Sequence, residues 1–242
     1  MKGLVWLRND IRMDDNPALK TAFEECDSVI SVYAWSSEQL KKHNEANIKQ
    51  DFLVQNLKSL AANLNAVNVP LLIMESESFH TVKDEIANLI QEHSINKIYW
   101  NKEFALDEIN RDKGVHDALE AQSVEIQIFN DQIIYEPGFL RTGQDNPFSV
   151  FTPFKRRWIE NFDMKFLDIE FDYPMKDKLN FESNVDTFDF GFTSTHGVDM
   201  NLWPIGEASA LDRVNDFLDN KAVDYSKNRN AVSYTHLRAH ET

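Results

Sequence analysis

Charged residues gather directly after the first apolar run of the chain. The run GLVWL occupies residues 3–7, and Arg8, Asp10 and Arg12 follow it, with two further aspartates next. Clustered aspartates are candidate ligands for a divalent cation. A charge network is the favoured interpretation, because carboxylates are stable at the positive N-terminal end of a helix and can pair with the arginines. We therefore predict that Arg8, Asp10 and Arg12 form a structural network beside a cofactor, and we predict no metal site.

Residues that would support nucleophilic or nucleotide chemistry are scarce. The single cysteine, Cys26, lies at helical spacing from Phe23 and other apolar residues, which indicates a core thiol and not a nucleophile. No G-x-G-x-x-G or G-x-x-x-x-G-K-[ST] motif follows the first apolar run, which argues against dinucleotide or NTP binding there. His236 and His240 are four residues apart, but we do not interpret this spacing as a metal site. We predict no catalytic residue within this sequence.

The composition indicates a globular protein of a reducing compartment. The 242 residues, 42% of them hydrophobic, suffice for one core and part of a second. One cysteine excludes an intrachain disulfide, and the N-terminal apolar run is too short for a signal peptide or a membrane span. We expect a cytoplasmic monomer with no membrane partner. The formal charge of −15 disfavours broad binding to phosphate backbones, so DNA contacts would need a local basic patch or a further part of the protein.

Apolar runs alternate with helical patterns through the first 130 residues. Asn16 and Pro17 mark the start of the first helix, and Thr81 with Asp84 marks the start of another. Strict alternation predicts βαβ units with both faces of a parallel sheet covered. The expected fold class is therefore α/β, a five-stranded doubly wound parallel sheet that is Rossmann-like. The predicted strands are residues 3–7, 28–34, 69–74, 97–100 and 124–129.

The carboxyl ends of these strands are the expected functional edge. In doubly wound parallel sheets, ligands bind beyond the carboxyl ends of the strands. RNDIR follows the first predicted strand, and NKEFALDE follows the fourth. We therefore expect both segments to lie at the ligand-binding edge of the sheet.

Four motifs in order make the sequence resemble the DNA photolyase and cryptochrome family. The opening LVWLRNDIRMDDNPAL is similar to the family pattern L-V-W-F-R-x-D-L-R-x-x-D-N-x-A-L. The segments YWNKEFALDEINRD, GQDNPFSVFTPFKRRW and WPIGEASALDRVNDFL, the last followed by VDYSKNR, match later family segments. The similarity is greatest to photolyases that act on cyclobutane pyrimidine dimers.

The resemblance implies a light-driven, FAD-dependent DNA-repair enzyme. Family members bind FAD in a C-terminal helical domain, and the excited reduced flavin donates an electron that splits a pyrimidine dimer in UV-damaged DNA. The α/β domain commonly holds a light-harvesting antenna chromophore, often methenyltetrahydrofolate and in other members a deazaflavin or flavin. The resemblance therefore implies methenyltetrahydrofolate as the antenna here, with a deazaflavin or flavin as the alternative. By position in the motifs, the resemblance assigns antenna binding to Asn101, Asp107 and Glu108, an FAD contact to Tyr225 and a DNA contact to Arg229. Asp107 stands where folate-binding relatives carry Asn, which removes an amide donor.

The resemblance also suggests a division of the chain. Residues 1–130 correspond to the antenna-chromophore domain, and 131–200 to an inter-domain linker with a helix near 151–162. Residues 201–229 correspond to the incomplete start of the helical FAD domain, and 230–242 form a tail without family character. We expect the chain alone to be inactive and to bind no FAD, because one flavin contact cannot offset the cost of association. The alternatives are a blue-light photoreceptor cryptochrome and a stand-alone nucleotide-binding α/β module.

Overall fold

A computed structural model describes residues 1–122, 124–163, 171–192, 199 and 202–229. The last thirteen residues, including His236 and His240, lie outside this described part. The chain divides into two compact units, residues 1–197 and 198–242.

The first unit is built on a five-stranded sheet in which all strand pairs are parallel. The order is β3-β2-β1-β4-β5, so the chain winds outward in both directions from the centre. This confirms the predicted fold class and places each strand within two residues of its expected bounds. The strands are β1 Lys2–Leu7, β2 Ser28–Ser36, β3 Leu71–Ser76, β4 Lys97–Asn101 and β5 Glu125–Phe129.

Helices connect the strands and cover both faces of the sheet. One of them, α2, was not expected, because its sequence SEQLKK is polar and it buries no residue. The helices between the strands are α1 Pro17–Glu25, α2 Ser37–Lys42, α3 Asn47–Ala66, α4 Val82–His93 and α5 Leu106–Glu120. After the last strand come α6 Phe151–Asn161 and, in the second unit, α7 Glu207–Asn220 and α8 Tyr225–Asn228.

Two apolar layers lie on opposite faces of the sheet because successive strand side chains alternate. Val5 and Leu7 of β1 pack with α1 and α3, whereas Leu4 and Trp6 pack with α4 and α5. The same alternation directs neighbouring residues at each strand end to different faces. This determines which side chains meet at the carboxyl edge.

The predicted helix starts differ in how they are capped. The Asn16 side chain accepts a hydrogen bond of 3.1 Å from the backbone N–H of Leu19, as the sequence indicated. Helix α4 begins at Val82, directly after Thr81, but the Thr81 side chain makes no cap bond to the helix. Its hydroxyl donates instead to the carbonyl oxygen of Ser78 at 3.0 Å, so the predicted capping box is not formed.

The segment 171–192 runs along the first unit and protects the exposed edge of β3. The Asn184 amide bonds both backbone groups of Ile73, at 2.6 and 3.0 Å, as a neighbouring strand would. Lys176 donates to the carbonyl oxygens of Phe23 and Cys26 at 2.6 and 2.7 Å, which caps the end of α1. Covering a strand edge in this way prevents pairing with another chain.

Gly3 is required by the close approach of β1 to Cys26. A Cβ at Gly3 would lie 2.8 Å from the Cys26 sulfur and 3.2 Å from the Tyr99 ring. We expect Gly3→Ala to lower the free energy of unfolding by about 1–3 kcal/mol through overpacking, as measured by urea unfolding.

A double-mutant cycle separates this clash from other effects. In the Cys26→Ala background, Gly3→Ala should cost less than it does in the unmodified chain, because the contact with the sulfur is gone and the 3.2 Å contact with the Tyr99 ring is left. Gly143→Ala is the control, since nothing lies within 4 Å of a Cβ there. An equal loss with and without the Cys26 sulfur would refute this explanation.

The second unit contributes helix α7, of 14 residues, and the single-turn helix α8 to the described part. Phe217 of α7 and Tyr225 of α8 pack edge to face, with ring centres 5.8 Å apart. Across the described ranges, none of the helices combines the length and the apolar character needed to span a bilayer.

Candidate functional site

A cavity of about 330 Å³ opens at the carboxyl ends of β1 and β2. Its size lies at the lower end of the roughly 300–1,000 Å³ that small-molecule pockets occupy. The ends of β1 and β2 and the turn before α4 supply aromatic walls, and helices α2 and α3 supply the opposite wall. The segment after β4 and helix α5 supply charged groups. These three sets include Trp6, Tyr33, Trp35 and Phe79; Gln39, Leu40, Lys49 and Leu53; and Glu103, Glu108 and Arg111.

Arg8 lines this cavity and is 5% exposed. Its guanidinium carbon lies 4.6 Å from the centre of the Trp6 ring, which is a cation–π contact. The nearest carboxylate oxygens are 3.6 Å away on Asp112 and 3.9 Å away on Glu103, too far for hydrogen bonds. Among the described residues, no group accepts a hydrogen bond from the three side-chain nitrogens of Arg8.

Arg111 holds the neighbouring part of the cavity wall. It donates to Glu103 at 2.6 Å and to Asp112 at 2.8 and 3.0 Å. Its guanidinium carbon lies 4.9 Å from the Trp6 ring centre and 4.7 Å from that of Phe79. Burial opposes its charge, but Asp112 and Glu103 outweigh burial and raise the pKa of Arg111.

Burial changes the other titratable groups of the wall in the expected directions. It lowers the pKa of Arg8, which nevertheless stays charged because arginine does not lose its proton in proteins. Burial also raises the pKa of Tyr33, whose hydroxyl therefore stays protonated at neutral pH. Arg8 thus contributes a positive charge to the cavity wall and Tyr33 a neutral ring at physiological pH.

Asp10 forms a buried hub beneath this wall. Its carboxylate accepts hydrogen bonds from the Arg8 backbone N–H at 2.7 Å and from the Asn101 amide at 2.6 Å. Asn101 also donates to Asn16 at 2.9 Å and accepts from the Ala18 backbone at 3.2 Å. The hub therefore joins the end of β1, the start of α1 and the end of β4.

Arg12 pairs with a carboxylate that is not among those near Arg8. Burial opposes its charge, but hydrogen bonds of 2.6 and 3.1 Å to Asp131 outweigh burial and raise the pKa of Arg12. Asp15 approaches it to 3.8 Å. The three residues of the predicted network thus lie in a cavity wall, a buried hub and a partly buried ion pair. A shared role for them stays a prediction.

The residues assigned to antenna binding by resemblance occupy three different environments. Glu108 lines the cavity. Asn101 is engaged by Asp10, Asn16 and Ala18, as described above. The side chain of Asp107 is 49% exposed and lies 3.8 Å from Lys42 and 4.0 Å from His43.

The residues assigned to FAD and DNA lie in the second unit. Tyr225 is 53% exposed and packs on Phe217. The Arg229 backbone N–H donates to the Tyr225 carbonyl oxygen at 2.8 Å. Their proposed contacts with flavin and DNA stay predictions.

Several cavity residues were not identified from the sequence. Glu103 and Arg111 lie in a charged segment that looks solvent-exposed. Arg111 is buried over the Trp6 ring, and Glu103 is buried where it pairs with Arg111. Trp35 and Ser36 end β2, and the strand-end rule applied to β1 and β4 would also have indicated this pair.

One group in the described part has the geometry of a metal site. The ligand atoms of His116, Asp117 and Glu120 lie within 4.8 Å of one another on α5. These side chains are partly or fully exposed, and exposed acidic groups are common without an ion. We therefore assign no metal to them.

Comparison with known proteins identifies relatives of this fold and of these motifs. The sequence model of the DNA photolyase family matches residues 3–174. A deoxyribodipyrimidine photo-lyase of Vibrio cholerae is 35% identical over 66% of this chain and 34% of its own length.

Two solved structures share the architecture. A class III photolyase from Agrobacterium tumefaciens superposes with a TM-score of 0.77 at 24% identity, over 94% of this chain and 46% of that protein. An archaeal photolyase from Sulfolobus tokodaii, described with two FAD molecules and a novel light-harvesting cofactor, gives 0.57 at 21% identity over 77% and 40% of the two chains. The chain therefore spans a third to a half of the length of these relatives. Because the family's sequence model covers most of the chain, from the first strand through α6, the chain belongs to the DNA photolyase family.

Proposed function

We propose that the chain forms the antenna part of a light-driven, FAD-dependent DNA photolyase, and that its cavity binds a light-harvesting chromophore. The cavity lies at the carboxyl edge of a parallel sheet, where this fold class binds ligands. The observation that carries the proposal is its combination of aromatic walls with buried, unused hydrogen-bond donors. Such a surface is suited to a flat conjugated molecule with polar edges.

The geometry favours a flavin or deazaflavin over methenyltetrahydrofolate. Of the three residues assigned to the antenna by resemblance, Glu108 alone lines the cavity. The Asn101 amide already has protein partners, and Asp107 faces Lys42 and His43. The Sulfolobus relative, described with a second FAD and a novel light-harvesting cofactor, supports the same choice.

The remaining activity is proposed for the whole photolyase. There, Tyr225 would contact FAD, Arg229 would face DNA, and the excited flavin would split pyrimidine dimers. The antenna would absorb light and pass the excitation to that FAD. A blue-light receptor that uses the same antenna remains the alternative, and a repair assay on dimer-containing DNA distinguishes the two.

Antenna binding is testable by titrating the chain with FMN and, separately, methenyltetrahydrofolate while following tryptophan emission. We expect FMN to quench the emission saturably, because Trp6 and Trp35 line the cavity. We expect methenyltetrahydrofolate to bind more weakly.

A cavity-filling variant provides the control for this titration. Ala34 lines the cavity, so Ala34→Leu should weaken FMN binding at least tenfold, whereas Ala62→Leu on the exposed side of α3 should not. Equal FMN affinity in the two variants would contradict cavity binding. Tighter binding of the folate than of FMN would reverse the proposed preference.

A further inference from the structure

We propose that Arg8 and Ser36 form a recognition subsite for the carbonyl-bearing edge of a neutral, planar heterocycle. This inference rests on the proposed antenna site and names the ligand group that the site selects. Arg8 follows β1, and Ser36 ends β2. The two strands are paired in parallel with Leu7 opposite Tyr33, so alternation places Arg8 and Ser36 on the same face of the sheet.

Both side chains are buried donors that the protein leaves unused. Arg8 and Ser36 are each 5% exposed and both line the cavity. Within the described part of the chain, neither the Arg8 nitrogens nor the Ser36 hydroxyl has a hydrogen-bond partner. Buried polar groups in folded proteins are normally paired, so an unpaired set beside a cavity indicates a missing acceptor.

The fold gives Ser36 no structural reason for its hydroxyl. Ser36 precedes α2 in the position of an N-cap, yet its side chain makes no cap bond. Alanine would therefore serve the fold equally well at this position. Because this unpartnered hydroxyl also lines the cavity, it is available to a ligand there.

The surrounding charges select a neutral acceptor over an anionic one. Arg8 and Arg111 carry two positive charges, and Asp10, Glu103 and Asp112 carry three negative charges around them. A phosphate or carboxylate placed at Arg8 would be repelled by these carboxylates. A ring carbonyl oxygen accepts the same hydrogen bonds without that repulsion, so the class selected is a lactam- or imide-bearing ring.

The test compares lumiflavin, which has the ring carbonyls but no tail, with FMN, which adds a phosphate. Binding is measured by flavin fluorescence anisotropy on the chain and on three variants whose folding is checked by thermal melts. Ser36→Ala should weaken both probes about tenfold, which corresponds to one lost hydrogen bond. Arg8→Lys keeps the charge but loses the forked donor, and should weaken both at least tenfold.

Ser31→Ala is the matched control. Ser31 lies on the same strand, and its buried hydroxyl also lacks a partner in the described structure, but it does not line the cavity. It should leave both affinities unchanged. If Ser36→Ala and Arg8→Lys bind both probes as Ser31→Ala does, the inference is overturned while the antenna site stands.

Two further outcomes are equally decisive. If the variants weaken FMN but not lumiflavin, Arg8 holds an anionic tail and the carbonyl assignment is wrong. If the unmodified chain binds neither probe, both the proposed flavin site and this inference are refuted.

Discussion

Replacing Arg111 with methionine is expected to lower the free energy of unfolding by about 3–5 kcal/mol. The Arg111 side chain is 6% exposed and supplies the hydrogen bonds that satisfy Glu103 and Asp112. Without it, Glu103 keeps the Asn9 amide as a donor, but the buried Glu103 carboxylate and the 14% exposed Asp112 carboxylate are left beside Arg8. Arg8 lies 3.6–3.9 Å from them, outside hydrogen-bond range. Urea unfolding at neutral pH measures the loss.

A double variant that also removes the Glu103 carboxylate tests the reason for this loss. Glu103→Met in the Arg111→Met background should recover part of the stability, because an apolar pair replaces an unpaired buried charge. Arg157→Met is the control, since Arg157 is 54% exposed and pairs at 3.8 Å with Glu160 on the same helix. An Arg111→Met variant as stable as Arg157→Met would show that the buried charge cluster contributes little.

Asp10→Ala is expected to cost about 3–5 kcal/mol, because hydrogen bonds to a charged group contribute about 1.5–3 kcal/mol each. The variant leaves the Arg8 backbone N–H and the Asn101 amide without their acceptor. Because Asn101 also holds Asn16 and Ala18, the start of α1 should loosen. Amide hydrogen exchange at residues 17–20 should rise together with the loss of stability.

A surface aspartate and added metal provide the controls for Asp10. Asp186→Ala should change stability by less than about 1 kcal/mol, because its carboxylate is 79% exposed and pairs with Lys58 at the surface. Added Mg²⁺ should stabilise neither the unmodified chain nor Asp10→Ala. A large metal-dependent stabilisation that Asp10→Ala removes would show that Asp10 is a metal ligand after all.

The sequence predicted the sheet well because its signals are local. β-Branched apolar runs marked all five strands, and Asn16 marked the start of α1. Helix α3 begins at Asn47, ahead of its first clear apolar periodicity, because its first turn is largely exposed, including Ile48. Helix α2 was not predicted because it has no apolar periodicity: it is six residues long and none of them is buried.

The contacts of the candidate site were harder to predict from the sequence, because they join segments that are far apart in the chain. Arg8 was placed correctly at a strand end, but its nearest charged neighbours, Glu103 and Asp112, lie about a hundred residues away in the chain. Arg12 pairs with Asp131, 119 residues on. No spacing rule links such residues, and only the order of strands in the sheet brings them together.

The most direct test of the antenna site is a crystal structure of the chain soaked with lumiflavin. We expect difference density for a flat ring in the cavity at the ends of β1 and β2, with a ring carbonyl within hydrogen-bond distance of Arg8 or Ser36. An empty cavity at saturating lumiflavin, or a ring bound elsewhere on the first unit, would contradict this expectation.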